Sequence, residues 1–200
     1  SGLTDLGYSV HRFGKPSSGL ARMDTFDWLE AAALQVAIAA PDIVIFQIGG
    51  NDAQGLGRSP WAPKSVPWPA AEQWARGYAR RLELLFDVLE GDGRLVFLLS
   101  ATNRRSPSAR TKLRRVTTVQ REAAAHREHV VFVDMVPLTS DARGRFLNKV
   151  REPGHRAPVK LRHDDGVHFT KAGGLVVAAR VLRALLLRGL AEVRDAERPQ

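Results

Sequence analysis

Three short apolar runs, each separated from the next by a stretch with helical spacing, constrain this chain more than any other feature. Ile43 to Ile48, Arg94 to Leu99 and Val130 to Val133 are dominated by Val, Ile, Leu and Phe. A strand that is apolar on both faces belongs in a parallel sheet covered by helices on each side, because only there do both sets of side chains leave water. Alternation of such runs with helical patterns predicts a mostly parallel α/β sheet. The helices read as Trp28 to Ala40, stopped by Pro41, and Ala70 to Leu89, with Trp74, Tyr78, Leu82, Leu85, Phe86 and Leu89 on one stripe. Ser106 and Pro107 form an N-cap and first-turn pair for a third helix running to about Glu128, and Lys171 to Leu190 is the closing helix.

The connections are less regular. Tyr8 to Phe13 is a short strand candidate, Pro60 to Pro69 a surface loop, and Ser140 to Leu161 a long loop or hairpin. A doubly wound sheet of this type has a central first strand, and nothing before Tyr8 supplies it. The chain therefore reads as one domain over residues 1–200, entered after its first strand.

Composition narrows the chemistry. The chain has no cysteine, which excludes disulfides, thiolate zinc sites and a cysteine nucleophile but leaves the redox compartment open. Its net charge of +9 comes from six Lys and 24 Arg against 21 acidic residues. The Arg residues are dispersed (Arg76, Arg80, Arg81, Arg104, Arg105, Arg110, Arg114, Arg115, Arg121), no nucleic-acid-binding motif accompanies them, and aromatics are only 7%. A solvated basic surface is expected, not a nucleic-acid partner. No apolar run approaches the ~20 residues of a membrane span. The chain opens on Ser1 and not on Met. Compartment is undetermined, with a periplasmic or extracellular location fitting if a leader has been removed. Oligomeric state is equally open.

Two segments carry candidate chemistry. In Asp164-Asp165-Gly166-Val167-His168-Phe169-Thr170, the carboxylate of Asp165 and the imidazole of His168 lie three positions apart before a helix that Thr170 could cap. A serine nucleophile needs a base, and the base needs an acceptor that fixes its tautomer, so one short segment can supply both. Such a pair is also what a plain capping turn would contain. In Gly49-Gly50-Asn51-Asp52, the turn follows a buried strand at the carboxyl end of a parallel sheet, where open α/β sheets bind ligands. Asn51 could donate to an oxyanion there, although Gly and Asn also suit an ordinary turn. Gly19 follows the first strand candidate, and its backbone N–H is a plausible second oxyanion donor. Ser17 and Ser18 are read as loop residues. Gly49 to Gly57 lacks the endings of a phosphate-binding loop, and the crowding of His163, Asp164, Asp165 and His168 matches no familiar metal motif. Neither a metal nor another cofactor is expected.

Taken together, these segments resemble a bacterial branch of the SGNH (GDSL-type) hydrolases. Ser18 to Arg22 leads into Asp24-Thr25-Phe26-Asp27-Trp28, the G-x-N-D block stands at Gly49 to Asp52, and the final block runs from Leu161 to Thr170. The resemblance implies a flavodoxin-like three-layer α/β/α fold and a Ser-His-Asp triad that hydrolyses or transfers acyl groups. It implies His168 as general base, Asp165 as its orienting carboxylate, and Asn51 with the Gly19 amide in the oxyanion hole. Gly49, Asp52 and Arg162 are expected on the substrate side. Many relatives of this kind act on acetyl esters of carbohydrates or cell-wall polymers, so a small-molecule or glycan ester is the expected substrate. The family's G-D-S-L nucleophile block is not among these residues. Its serine is expected a few residues ahead of Ser1, and this chain alone is expected to be inactive. A non-catalytic relative that binds a glycan or a protein is the alternative.

Overall fold

The computed structural model describes residues 2–5, 7–152 and 156–186. In chain order the elements are α1 (Gly2–Asp5), α2 (Trp28–Ala39), β1 (Ile43–Gln47), α3 (Ala71–Glu90), β2 (Leu95–Leu99), α4 (Pro107–Ala125), β3 (Val130–Val133), α5 (Met135–Leu138), β4 (Lys149–Val150), β5 (Val159–Lys160) and α6 (Lys171–Leu185). The three apolar runs pair in the order β1-β2-β3, all parallel, with Ile45 opposite Phe97 and Phe97 opposite Val131. A parallel sheet flanked by helices is the arrangement expected, consistent with a three-layer α/β/α fold.

The chain divides into two compact units. The larger comprises residues 12–102 and 106–136, and the smaller residues 1–11, 103–105 and 137–200.

In the larger unit the helix ends follow local chemistry. Asp27 caps α2 by accepting the N–H groups of Leu29 and Glu30 at 2.8 and 3.2 Å. Ala40, in the left-handed region at φ 41°, ends the helix by donating its N–H to Val36 O at 2.8 Å ahead of Pro41. Ser106 and Pro107 open α4 as expected. The α3 stripe of Trp74, Tyr78, Leu82, Leu85 and Phe86 is fully buried, in one core with Val96 and Leu98 of β2 and Val116 and Val119 of α4. Removing each such apolar side chain from water stabilises the fold by ~1.5–3 kcal/mol.

Two expectations are corrected. The run at β1 was expected to be covered on both faces, yet Ile45 is 39% exposed. Among the described residues β1 pairs on one side only, with β2, whereas β2 lies between two strands and its residues Val96 to Leu99 are at most 5% exposed. Tyr8 to Phe13 forms no strand. Its alternation breaks at the exposed Arg12, and Phe13 instead meets the Trp28 ring edge-on at 5.9 Å.

In the smaller unit, the segment expected as a long loop or hairpin contains the antiparallel pair β4–β5, with Lys149 opposite Lys160. Val159, Leu161 and Val176 form a small core against Leu147 and Val150. Thr170 caps α6, its Oγ1 accepting the Gly173 N–H at 2.9 Å. The end of the predicted closing helix, from residue 187 to Leu190, lies outside the described residues. Among the described residues no helix is long and apolar enough to cross a membrane.

Candidate active site

In the smaller unit a tight turn brings Asp165 and His168 together. Gly166 adopts φ 68°, in the left-handed region that glycine enters at least cost, and donates its N–H to His163 O at 3.0 Å. His163 N–H then reaches His168 O at 2.9 Å, folding the segment back on itself. Asp165 Oδ1 accepts the N–H groups of Val167 and His168 at 2.7 and 3.0 Å, and Oδ2 lies 2.8 Å from His168 Nδ1. The contact with the His168 ring, followed by the two backbone N–H groups, holds the Asp165 carboxyl well below the usual carboxylate range. An ionised carboxylate can only accept, so Nδ1 carries the proton and Nε2 of the neutral ring keeps its lone pair. The His168 side chain is 78% exposed.

This geometry sets a pH dependence. The folded-state value of Asp165 is depressed, so its contribution to stability is present above the unfolded value of about pH 4 and is lost as pH falls toward the folded one. The difference in melting temperature between the wild type and Asp165→Asn is therefore expected to be fully present above about pH 5 and to shrink as pH falls below about pH 4. A constant difference from pH 7 down to about pH 2 would count against the assignment.

Arg162, expected on the substrate side, lies inside the turn and is 1% exposed. Its guanidinium sits 3.5 Å from the Phe169 ring centroid and Nη1 donates to Val167 O at 2.6 Å. An aromatic face and a backbone carbonyl partner this planar cation away from water, while its buried Nε has no hydrogen-bond partner. Burial nevertheless pushes its pKa down to about 10, with the charge of Arg104 acting in the same direction.

The larger unit holds the other candidates. Gly49 is buried at φ +111°, a conformation that favours glycine, and a Cβ there would press on the end of the Gln120 side chain, 2.9 Å from Nε2. It turns the chain out of β1 and accepts the Asp52 N–H at 3.2 Å. Asn51 is exposed, and its Nδ2 donates to Ser18 O at 3.0 Å. A primary amide carries two N–H groups, so this bond orients the side chain and leaves a second donor for a ligand. Gly19 is buried beside Asp52: a Cβ at Gly19 would lie 2.2 Å from Asp52 Oδ1.

Asp52 was expected to face substrate. It is instead fully buried, Oδ1 accepting the Ala21 N–H at 2.8 Å and Oδ2 the Tyr78 hydroxyl at 2.7 Å. Burial raises its pKa, while the Ala21 N–H and the Tyr78 hydroxyl pull against that rise.

Over residues 3–184 the sequence matches the family DUF459, described as a protein of unknown function. The chain belongs to the DUF459 family. No curated protein matches it.

In this DUF459 chain, sequence reasoning missed three polar residues beneath the Gly19 turn. Arg81, grouped with the solvated basic residues, is 2% exposed, a correction to that expectation. Its Nη1 donates to Leu20 O and Ala21 O at 2.5 and 2.9 Å, and its Nη2 to Gly57 O. Tyr78 binds Asp52, and Gln120 Nε2 donates to Ile48 O at 3.1 Å and approaches the Tyr78 hydroxyl at 3.4 Å. One signal was available. Arg81 sits beside Leu82 and three residues after Tyr78 in an otherwise apolar stripe, where a cation requires buried acceptors. By contrast Arg76, Arg80 and Arg121 are exposed and pair with Glu72, Glu83 and Asp134, as a solvated surface would have them.

Proposed function

We propose that this protein is a serine-type acyl-ester hydrolase or acyltransferase of the SGNH kind. The observation that carries this reading is the Asp165–His168 pair, 2.8 Å apart, with the carboxylate held ionised and the imidazole open to solvent. That is the orientation a general base needs before it can accept a proton from a hydroxyl. The family resemblance of the segments around Gly19, Asn51 and His168 supports the same assignment. It also supports O-acyl, chiefly acetyl, esters of carbohydrate or cell-wall polymer as substrates.

The reaction follows from these roles. His168 Nε2 takes the proton of a serine hydroxyl while the serine oxygen attacks the ester carbonyl carbon. The Asn51 amide and the Gly19 N–H donate to the oxyanion that forms. Collapse breaks the bond to the sugar oxygen, which takes the proton back from His168. Water, or an acceptor alcohol in a transferase, then attacks the acyl-serine by the same route in reverse.

The test uses the full-length gene product. It is expected to hydrolyse 4-nitrophenyl acetate and to label at one serine with a fluorophosphonate probe, and the labelling should be lost in His168→Ala. Absence of both hydrolysis and labelling in the full-length wild type refutes the hydrolase reading. Retained binding of an acetylated glycan under those conditions would point instead to a non-catalytic binding module.

A further inference from the structure

We propose that Asp52 is a positioning residue that fixes the Gly19–Ala21 turn relative to Asn51, with Arg81 gripping the same turn through its carbonyl groups; the catalytic part of this inference rests on the hydrolase reading above.

Leu20–Arg22 is a single 3-10 turn with no side-chain cap at Gly19. A turn this short has little local hydrogen bonding to hold it in place. Besides the Gly57 N–H, which donates to Ala21 O at 2.7 Å, two buried charges take complementary groups of its backbone. The Asp52 carboxylate accepts the Ala21 N–H at 2.8 Å, and the Arg81 guanidinium donates to the carbonyl oxygens of Leu20 and Ala21 at 2.5 and 2.9 Å. Asp52 and Arg81 are 0% and 2% exposed, so water cannot readily replace either contact. Tyr78 holds the second carboxylate oxygen at 2.7 Å.

The same carboxylate limits the turn sterically. It lies where a Gly19 Cβ would be, so Gly19 Cα rests directly against Asp52 Oδ1. Asn51 is the chain neighbour of Asp52 and donates to the carbonyl of Ser18, the residue before Gly19. A displacement of Asp52 therefore acts on both proposed oxyanion donors: on Gly19 through direct contact and the Ala21 bond, and on Asn51 through the chain. Donors to an oxyanion act by geometry fixed before reaction, so an error of a fraction of an ångström lowers turnover without greatly altering substrate affinity.

The experiment compares full-length wild type with Asp52→Asn and Arg81→Lys in two measurements. The first is hydrogen exchange at the Ala21 amide, followed by NMR. The second is the steady-state hydrolysis of 4-nitrophenyl acetate, well below the melting temperature of each variant. In Asp52→Asn, Ala21 exchange is expected to accelerate by about tenfold or more, and kcat to fall roughly 10- to 100-fold with KM within about twofold. Arg81→Lys, which keeps the charge but loses the fork, should move both in the same direction by less. If Asp52→Asn does not fold, Tyr78→Phe removes a single hydroxyl and is read in the same way. Unchanged Ala21 exchange in a folded variant overturns the proposal. So does faster exchange with unchanged kcat in an active protein, which would make Asp52 structural only. A loss carried entirely by KM overturns it too, making Asp52 a ground-state substrate determinant. Should the wild type hydrolyse no ester and take no probe, the hydrolase reading falls, while Ala21 exchange still decides whether Asp52 holds the turn.

Discussion

His168→Ala is expected to lower ester turnover by the full-length protein by about three orders of magnitude or more, as loss of a triad base does in serine hydrolases. Without the imidazole nothing accepts the serine proton, so both acylation and deacylation slow. Asp165→Asn should also lower turnover steeply, because with Oδ1 held by the Val167 and His168 N–H groups the new amide donates to Nδ1 and favours the tautomer in which Nε2 is protonated. Both variants should fold. His168 is 78% exposed on its side chain, and its backbone bond to His163 does not depend on the ring. Turnover near wild type in His168→Ala, measured with 4-nitrophenyl acetate, would sink the assignment.

Asn51→Ala is the second large effect, an expected fall of ~10²–10³ in kcat with a smaller change in KM. The amide acts on charge that appears only as the tetrahedral intermediate forms. The variant also removes the bond to Ser18 O, so a small loss of thermal stability should accompany it. Asn51→Asp keeps the shape of the side chain but presents no donor to either the oxyanion or Ser18 O, and should be at least as poor a catalyst. A defect confined to KM would make Asn51 a ground-state contact.

Much of the architecture was legible because it depends on neighbours in sequence. The β2 and β3 runs form the strands their composition predicts, and the helices around them end within a few residues of their Pro, Ser and Gly signals. Hydrophobic periodicity and capping are local properties, and the caps at Ser106 and Thr170 each lie within three residues of the N–H they accept. The same holds for Asp165 and His168. Three residues apart around a glycine with positive φ, they need only one turn to meet, so the spacing carried the geometry.

What the sequence could not disclose are contacts spanning long stretches of chain. Asp52 meets Ala21 across 31 residues and Arg81 meets Leu20 across 61. Nothing in the local pattern of Asp52 distinguishes a buried strut from a substrate-facing charge, and the apolar stripe around Arg81 points to burial without naming the carbonyl groups it meets. Arg162 shows the same limit from the other direction. It sits in a legible motif, but only the folded turn shows that its guanidinium lies against Phe169 and the Val167 carbonyl. Ile45 was read as covered because its composition is that of a central strand. Its exposure follows from how many neighbours β1 has among the described residues. Residue type and spacing thus determined the secondary structure and the Asp–His pair, since short-range hydrogen bonding and periodicity suffice for both. Which charges are buried, and which backbone groups they hold, was decided by tertiary structure alone, because it depends on acceptors and donors brought close from distant parts of the chain.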